Sequence, residues 1–311
     1  MKKLSALLIL TFLPLFGAAA QSIDVRLETR GSFVAMPDDS GFQGDYFNVR
    51  INGRFNDNFS YSFHHRLNKP LVDKRLFSAT DWAYVKFDTG KWGVQAGKMQ
   101  LEYGSFEFDA APIDMYFSSE YYDNFSGAFT FGLDVIRHFK VGTLVAQIAQ
   151  SAFSESALGG LHSYSLCYKG SYGCYDWIHS VNSFEIPDGS ALANIVLGNR
   201  FKFGPAKLEL DLIHRANFNT WAWFDDFTVV ADANVAATSW MNVVAKFTLD
   251  NNRSQNDPLV PSGQKLVSYG AGLEFFPMKD SRDIRIHCVY YDFKSPTFLA
   301  GVTWKIHILT R

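Results

Sequence analysis

The stretch KLELDL at Lys207–Leu212 decides the fold class of this 311-residue chain. Its leucines alternate strictly with charged residues, so a β-strand formed by it has one apolar face and one polar face. The same two-residue period recurs in Tyr46–Arg54, Thr228–Ala236 and Phe298–Ile308. Helical periodicity of 3.6 residues is rare in the mature chain. The sequence therefore predicts an all-β protein.

Fourteen segments carry this alternation and are predicted as strands. They are 23–36, 43–55, 58–68, 79–88, 91–101, 124–138, 139–151, 190–203, 206–218, 226–238, 239–250, 265–276, 283–293 and 297–308. A tilted transmembrane strand needs ~9–11 residues, whereas strands of soluble proteins average ~5–6. The predicted strand lengths therefore fit a membrane-spanning sheet.

The connections between these strands alternate in length. Short turns such as Asn56-Asp57 and Gly204-Pro205 alternate with longer segments such as Gly104–Asp123 and Ala152–Gly189. This alternation is typical of bacterial outer-membrane barrels, which have short periplasmic turns and longer external loops. We predict a single transmembrane antiparallel up-and-down β-barrel of about 14 strands, with 12 or 16 as alternatives. Ala152–Gly189 is predicted to be an external loop.

The N-terminus indicates export. Met1-Lys2-Lys3 is a short basic region, and the apolar run Leu4–Phe16 and the small residues Gly17–Ala20 follow it. This pattern is typical of a secretory signal cleaved after Ala20. The predicted organisation is a signal peptide at 1–20 and an outer-membrane β-barrel at 21–311. We predict that the barrel lies in the cell outer membrane of a Gram-negative bacterium, where membrane lipid surrounds it.

Charge and cysteine content exclude several classes of protein. The 29 Lys and Arg residues against 31 Asp and Glu residues leave no basic excess for nucleic acid. Cys167 and Cys174 lie seven positions apart and either form a disulfide or remain two reduced thiols; Cys288 is left over. No second Cys/His pair has zinc-ligand spacing, so we predict no metal and no cofactor.

If the apolar positions face lipid, the opposite positions line the pore. The basic residues predicted to line it are Arg26, Arg30, Arg50, Arg54, Arg66, Lys86, Arg200, Lys202, Lys207, Arg215, Lys246, Arg285 and Lys305. The inward acids are Asp24, Glu28, Asp88, Glu209, Asp211, Asp232, Asp250, Glu274 and Asp283. Either these charges neutralise one another or the slight basic excess forms an anion path. Arg30 and Arg50 are expected to project at similar depth.

Two further features concern the mouth and the rims of the barrel. Gly104–Asp123 breaks the alternation, and it either folds inward as a constriction loop or covers the rim as a surface loop. Its acids Glu107, Asp109 and Asp114 would then line the narrowest part of the pore. Aromatic residues near strand ends are expected at the two membrane interfaces. Those expected are Phe298 and Tyr290 at the outer rim, and Trp92 and Phe203 at the inner rim.

Lys91–Gly104 (KWGVQAGKMQLEYG) resembles the strand-and-loop segment of the phosphate-selective porin O and P family. Arg50–Phe55 followed by Phe59–Phe63 is similar to the opening hairpin of that family. The resemblance covers about residues 45–125 and implies a trimeric outer-membrane channel. The chain ends in Ile308–Arg311 rather than in an aromatic residue and has no dense lysine ladder. The resemblance therefore implies ion and solute transport more than phosphate selection.

These observations predict a porin for passive diffusion of small hydrophilic solutes, with a weak preference for anions such as phosphate, and a homotrimer as a possible assembly. An outer-membrane enzyme of lipase or protease type is the main alternative. It would need a hydroxyl nucleophile, a histidine and an acid in one place. A closed structural or adhesive barrel, filled by its own side chains, is the third alternative. No enzymatic activity is predicted.

Overall fold

The computed structural model describes residues 21–68, 79–125, 127–154, 160–217, 225–253, 259–260, 264–278 and 280–310. The predicted signal peptide at 1–20 lies outside the described residues. Sixteen strands are present in this part of the chain. They are β1 (Ser22–Ala35), β2 (Ser40–Arg54), β3 (Phe59–Arg66), β4 (Thr80–Asp88), β5 (Trp92–Gln100), β6 (Phe129–His138), β7 (Gly142–Gln150), β8 (His162–Tyr172), β9 (Tyr175–Glu185), β10 (Ala191–Phe203), β11 (Ala206–Asn217), β12 (Asp226–Ala236), β13 (Met241–Asn252), β14 (Gln264–Phe275), β15 (Ile284–Phe293) and β16 (Ser295–Thr310).

The strands form one closed antiparallel barrel in sequence order. Each strand pairs with its neighbours in the chain, and β1 pairs with β16 to close the sheet. The closing register runs from Asp24 opposite Thr310 to Ala35 opposite Phe298. Closure gives every strand two partners, so no edge with unpaired backbone groups remains. The predicted up-and-down barrel is confirmed, and its strand number is the alternative of 16.

The two strands beyond the expected fourteen lie within Ala152–Gly189, so the prediction that this whole segment is an external loop is wrong. Strand β8 does alternate, with Tyr164 and Leu166 half exposed on the outer face and Ser165 buried on the inner face. In β9 the alternation is hidden, because the inner positions include the apolar residues Ile178 and Phe184, which are buried. An inner wall that packs against another segment does not need polar residues.

The cysteines are all free thiols in the described chain, so the disulfide considered between Cys167 and Cys174 is not formed. Cys167 is fully buried on β8, whereas Cys174 is exposed in the two-residue turn that joins β8 to β9. Gly173 in this turn has a φ of 60°, a left-handed conformation that glycine adopts without strain.

Apolar side chains cover the outer face of the barrel. Phe131, Leu133 and Val135 of β6 are 46%, 42% and 43% exposed at alternate positions, and between them Asp134 is buried on the inner face. Phe298 lies opposite Tyr290 in the pairing of β15 with β16, and both rings are exposed. No helix in the described chain is long and apolar enough to cross a membrane.

The connections divide between the two ends of the barrel. One end of the barrel, which we call the turn end, holds the start of β1, the end of β16 and the described residues of the connections 55–58, 89–91, 139–141, 173–174, 204–205, 237–240 and 276–283. The odd-numbered strands end at the opposite end of the barrel, which we call the loop end. The connection between β5 and β6, residues 101–128, starts from the loop end.

Cys174 offers a test of the orientation of the barrel. If the turn end faces the periplasm, a maleimide attached to a polymer too large for the channel does not label Cys174 in intact cells. Permeabilising the outer membrane exposes the thiol to the reagent. An Asp188→Cys variant, in the exposed connection between β9 and β10, is labelled in intact cells. Labelling of Cys174 in sealed cells would contradict this orientation.

Candidate channel constriction

The connection 101–128, which we call the inner loop, folds into the barrel. It contains the short helices α1 (Phe106–Asp109) and α2 (Glu120–Asn124), with a 3₁₀ turn at Pro112–Asp114 between them. Its groups bond to side chains of β1, β9, β11, β13, β14, β15 and β16. A segment that contacts strands around more than half of the wall must cross the lumen. The constriction-loop hypothesis therefore fits the geometry better than the surface-loop alternative.

A carboxylate of the barrel wall holds the start of α1. Ser105 caps this helix, and its hydroxyl donates to Asp211 over 2.6 Å. The backbone N–H groups of Phe106 and Glu107 also donate to Asp211, over 3.1 and 2.9 Å. Free N–H groups at a helix start need acceptors, and here a strand of the barrel supplies them. The bonds fix α1 against β11.

The start of α2 is held in the same way by β13. Ser119 caps the helix, and the backbone N–H groups of Glu120 and Tyr121 donate to Asp250 over 2.9 and 3.3 Å. The hydroxyl of Thr228 on β12 donates to the same carboxylate over 2.6 Å. Two wall aspartates, one on each of two strands, therefore position both helices of the inner loop.

Glu107 is a buried acid of the inner loop rather than an exposed one. Its carboxylate lies 2.7 Å from Nζ of Lys246, and its side chain is inaccessible to solvent. It also accepts hydrogen bonds from the N–H of Ser119 over 2.8 Å and from its hydroxyl over 2.6 Å. A buried carboxylate needs this kind of full pairing. Glu107 therefore joins α1 to the start of α2 and to the wall.

A hydrophobic core lies between the inner loop and the wall. The loop contributes Tyr103, Phe108, Tyr121 and Phe125, which pack against one another and against Phe184 of β9. Leu192, Val196 and Ile213 of β10 and β11 complete this core. Full burial of one such side chain stabilises a fold by about 1.5–3 kcal/mol. The inner loop is thus a packed unit inside the barrel.

Two arginines of the wall converge on the middle of the inner loop. The guanidinium of Arg30 donates to the carbonyl oxygens of Ile113 over 3.1 Å and Met115 over 2.6 Å. Arg285 donates to the same Ile113 oxygen over 3.1 Å. Asp45 pairs with Arg30 over 3.0 Å, and both side chains are buried. We call this arrangement the arginine clamp.

The other two acids predicted in the loop differ in their surroundings. Asp114 lies 3.1 Å from Arg285 and 3.1 Å from Lys305, so both bases hold it. Asp109 is exposed to the lumen and forms no ion pair in the described structure. The protein around it limits hydration of the carboxylate, and this desolvation raises the pKa of Asp109 above its ordinary value.

The wall from β1 to β4 carries a row of cationic and aromatic side chains. Arg26 lies opposite Arg50, Arg50 opposite His64, and His64 opposite Trp82. The guanidinium of Arg50 lies 5.3 Å from the Trp82 ring centre, and the ring of Trp82 stacks on His64 at 4.4 Å. We call these four residues the cationic row. Arg30 lies opposite Tyr46, four residues from Arg26, so Arg30 and Arg50 do not share a depth as expected.

Most of the basic residues predicted to line the pore are paired with acids. Their ion pairs are Arg26–Asp24, Arg30–Asp45, Arg66–Asp81, Lys86–Asp88, Arg200–Glu209, Lys202–Asp176, Lys207–Glu209, Lys246–Glu107, Arg285–Glu274 and Lys305–Asp114. Arg215 is fully buried and donates to Thr228 and to the Asn251 carbonyl oxygen. Of the bases predicted to line the pore, Arg50 and Arg54 have no carboxylate partner among the described residues.

Sequence reasoning missed several residues of the constriction. Asp45 lies on β2 in an exposed-looking, glycine-rich segment, and nothing in the alternation marks it as the partner of Arg30. Trp82 was not singled out, because its strand alternates ordinarily. Ser105 and Ser119 carry a usable signal: each precedes an acid by two residues or fewer, as helix caps often do. The contacts that give these residues their roles lie far apart in sequence.

The arginine clamp predicts that the size of the pore can be changed without changing its charge. An Arg30→Lys variant keeps the charge, but its compact ammonium does not reproduce the spread of the guanidinium, which reaches Asp45 from Nε and the two carbonyl groups from Nη1. Each lost hydrogen bond of a charged group weakens the clamp by about 1.5–3 kcal/mol. We expect faster swelling of reconstituted liposomes in a neutral trisaccharide. Arg50→Lys is the matched control, and identical swelling of the Arg30 variant and the wild type would refute the clamp.

Comparisons with known proteins agree with this architecture. The model of the family described as phosphate-selective porin O and P matches residues 23–156. A search of curated proteins finds no match. Among solved structures, the in-vitro folded trimer form of OmpT, an outer membrane protein of Vibrio cholerae, is similar with a TM-score of 0.65 and 11% identity over 91% of this chain and 99% of that chain.

Two other solved barrels are similar. A mutant of Rhodopseudomonas blastica porin has a TM-score of 0.59 and 13% identity, over 91% of this chain and 100% of its own. Salmonella typhi OmpF in complex with daunomycin has a TM-score of 0.63 and 11% identity, over 91% and 97%. The match over residues 23–156 therefore confirms the resemblance to the phosphate-selective porin O and P family. The chain as a whole has the barrel fold of bacterial porins.

Proposed function

We propose that this chain is an outer-membrane porin for passive diffusion of small hydrophilic solutes, with a weak preference for anions such as phosphate. The observation that carries the proposal is the inner loop, which folds into a closed barrel that is apolar outside and polar inside. Barrels of about eight strands fill themselves with side chains, whereas 16–18 strands leave an aqueous channel. A loop inside a barrel of 16 strands narrows the channel without needing to fill it.

The cavity beneath the inner loop contributes little charge selectivity. It has a volume of about 350 Å³ and lies between residues 110–117 and the wall from β11 to β16. Its bases are Lys207, Lys246, Arg282, Arg285 and Lys305, and its acids are Asp114, Glu209, Asp232, Glu274 and Asp283. Five charges of each sign cancel, so this part of the path favours neither anions nor cations.

The cationic row on the opposite wall supports the anion preference. Arg50 has no acidic partner in the described structure, and its buried Nε atom has no hydrogen-bond partner. Stacking on Trp82 holds the guanidinium in place, which favours recognition of phosphate or carboxylate through its forked donors. The preference stays weak because an ion that conducts must also leave. Arg26 adds little, since Asp24 pairs with it over 2.7 Å.

Export and assembly complete the proposal. The signal peptide at 1–20 would deliver the chain to the periplasm, from which the barrel inserts into the outer membrane. A homotrimer is the proposed assembly, since the family resemblance implies it and one of the similar structures is a trimer form. The outward apolar band is the surface that lipid and neighbouring subunits would share.

Ser32, His287 and Asp45 form one place in the described chain where a hydroxyl, a histidine and an acid meet, and its geometry does not support the enzyme alternative. Ser32 lies 3.5 Å from His287, and Asp45 lies next to both. The Ser32 hydroxyl donates to Asp45 over 2.6 Å, so its only hydrogen is not directed to the histidine. All three side chains are also buried behind the arginine clamp. This geometry does not activate a nucleophile.

Planar-bilayer recording tests the proposal. We expect stepwise conductance from the refolded protein, with a reversal potential in a salt gradient that shows weak anion preference. Arg50→Gln shifts the reversal potential towards cations, because it removes the unpaired charge of the cationic row. Lys265→Gln is the control, since Lys265 is exposed at the loop end, away from the cationic row. Absence of current steps from folded protein would refute the porin.

Asp109 predicts a pH dependence of selectivity. Because the pKa of Asp109 is raised, this carboxylate loses its charge at a higher pH than an ordinary carboxyl does. Lowering the pH from neutral therefore neutralises Asp109 before ordinary carboxyls lose their charge, and the reversal potential moves towards anions. The Asp109→Asn variant shows the reversal potential shifted towards anions already at neutral pH. If the variant and the wild type titrate alike in bilayer recordings, Asp109 does not face the permeation path.

A further inference from the structure

Three basic residues on the outside of the barrel have no role in the channel. Lys91 precedes β5, Arg137 lies near the end of β6, and Lys140 lies in the turn between β6 and β7. All three are at the turn end, and Lys91 and Lys140 are exposed. The pore lies on the other side of the wall, so these charges need another explanation.

Arg137 points away from the lumen. It has the same strand parity as Leu133 and Val135, which are 42% and 43% exposed on the apolar outer face. In the register of β5 with β6 it lies directly opposite Trp92. A basic side chain on the lipid face is costly at the middle of the membrane and much less so near the interface, where anionic groups can pair with it.

Aromatic rings and a backbone carbonyl hold the guanidinium of Arg137. Its carbon lies 4.6 Å from the Trp92 ring centre and 5.6 Å from that of Phe139, and Nη1 donates to the Lys91 carbonyl oxygen over 3.3 Å. Both rings are about half exposed. Aromatic rings of this kind lie at the headgroup level of a membrane. The guanidinium is therefore fixed at that level, with further N–H donors free to face a ligand.

A belt of rings continues from this point around the barrel. Phe139 contacts Tyr168, Tyr168 contacts Trp177, and Trp177 contacts Tyr175, with ring centres 5.5–6.5 Å apart. The basic residues lie at one end of this belt. This surface thus combines aromatic rings, which suit the boundary of the acyl-chain region, with a cluster of positive charges.

No acid of the described chain neutralises these three bases. The neighbouring Asp88 pairs instead with Lys86 and His138 over 2.8 and 3.0 Å. In contrast to these three bases, Lys202 at the turn end is paired with an acid, Asp176, over 2.6 Å. The charge of Lys91, Arg137 and Lys140 is therefore available to an anion from outside the protein.

We propose that Lys91, Arg137 and Lys140 bind the phosphate of an anionic phospholipid in the membrane leaflet at the turn end. The forked donors of Arg137 match a phosphate, the two lysines add charge around it, and the rings beside them contact the acyl-chain boundary. The site rests on the proposed membrane location of the barrel, and not on conduction through it.

The experiment uses the full chain folded into vesicles of phosphatidylcholine with phosphatidylglycerol, followed by native mass spectrometry of the detergent-extracted protein. Wild type retains phosphatidylglycerol in preference to phosphatidylcholine. The variant Lys91→Gln/Arg137→Gln/Lys140→Gln loses this preference by about fivefold for each charge removed, which corresponds to about 1 kcal/mol per surface base. The control variant Lys202→Gln/Lys207→Gln/Lys265→Gln removes as many charges elsewhere and retains the lipid as wild type does.

Lys140→Gln alone changes only an exposed turn and keeps the test decisive if the triple variant fails to fold. Equal phosphatidylglycerol retention by wild type and folded variants overturns the proposal. A changed oligomeric state without a change in lipid retention also overturns it and makes this surface a subunit contact. Conductance measured on the same preparation separates the two proposals, since a silent barrel that still selects phosphatidylglycerol refutes the porin and leaves the lipid site.

Discussion

The pairing of β1 with β16 is the constraint on which the rest of this structure depends. A sheet in a membrane cannot leave its edge groups unpaired, because lipid offers no hydrogen bonds. Closure through twelve residue pairs removes both edges, although the register shifts once between Val25 and Arg26. Once the sheet is closed, each side chain must face either lipid or lumen. The inside becomes an enclosed space in which a loop can fold and charged groups can pair.

The inner loop behaves more like a small folded core than like a flexible gate. Wall carboxylates accept hydrogen bonds from the starts of α1 and α2, and an aromatic cluster lies between the loop and β9 to β11. Glu107 and Lys246 form a buried pair that also binds the second helix cap. Buried pairs of this kind are costly to break because one uncompensated charge remains. The position of the loop therefore follows from many contacts that act together.

The arginines of the lumen divide into two groups with different physical effects. Arg30 is buried, paired with Asp45 and bonded to carbonyl groups of the loop, so it acts on the shape of the channel. Arg50 has no acidic partner in the described chain and stacks on Trp82, so it acts on the field that a passing ion meets. Residues of one type, on neighbouring strands and on the same face, thus differ because of the groups that surround each of them.

The sequence by itself determined the barrel, because a period of two and alternating connection lengths are local properties of a membrane-spanning strand and its turns. It also predicted which bases face inward and identified residues 104–123 as distinctive. Tertiary structure decided the number of strands, since Ile178 and Phe184 are apolar on the inner face only because the loop packs on them. It also decided the roles of Arg30 and Glu107. Their partners lie 15 and 139 positions away, and no local pattern specifies contacts that form only when the barrel closes around the loop.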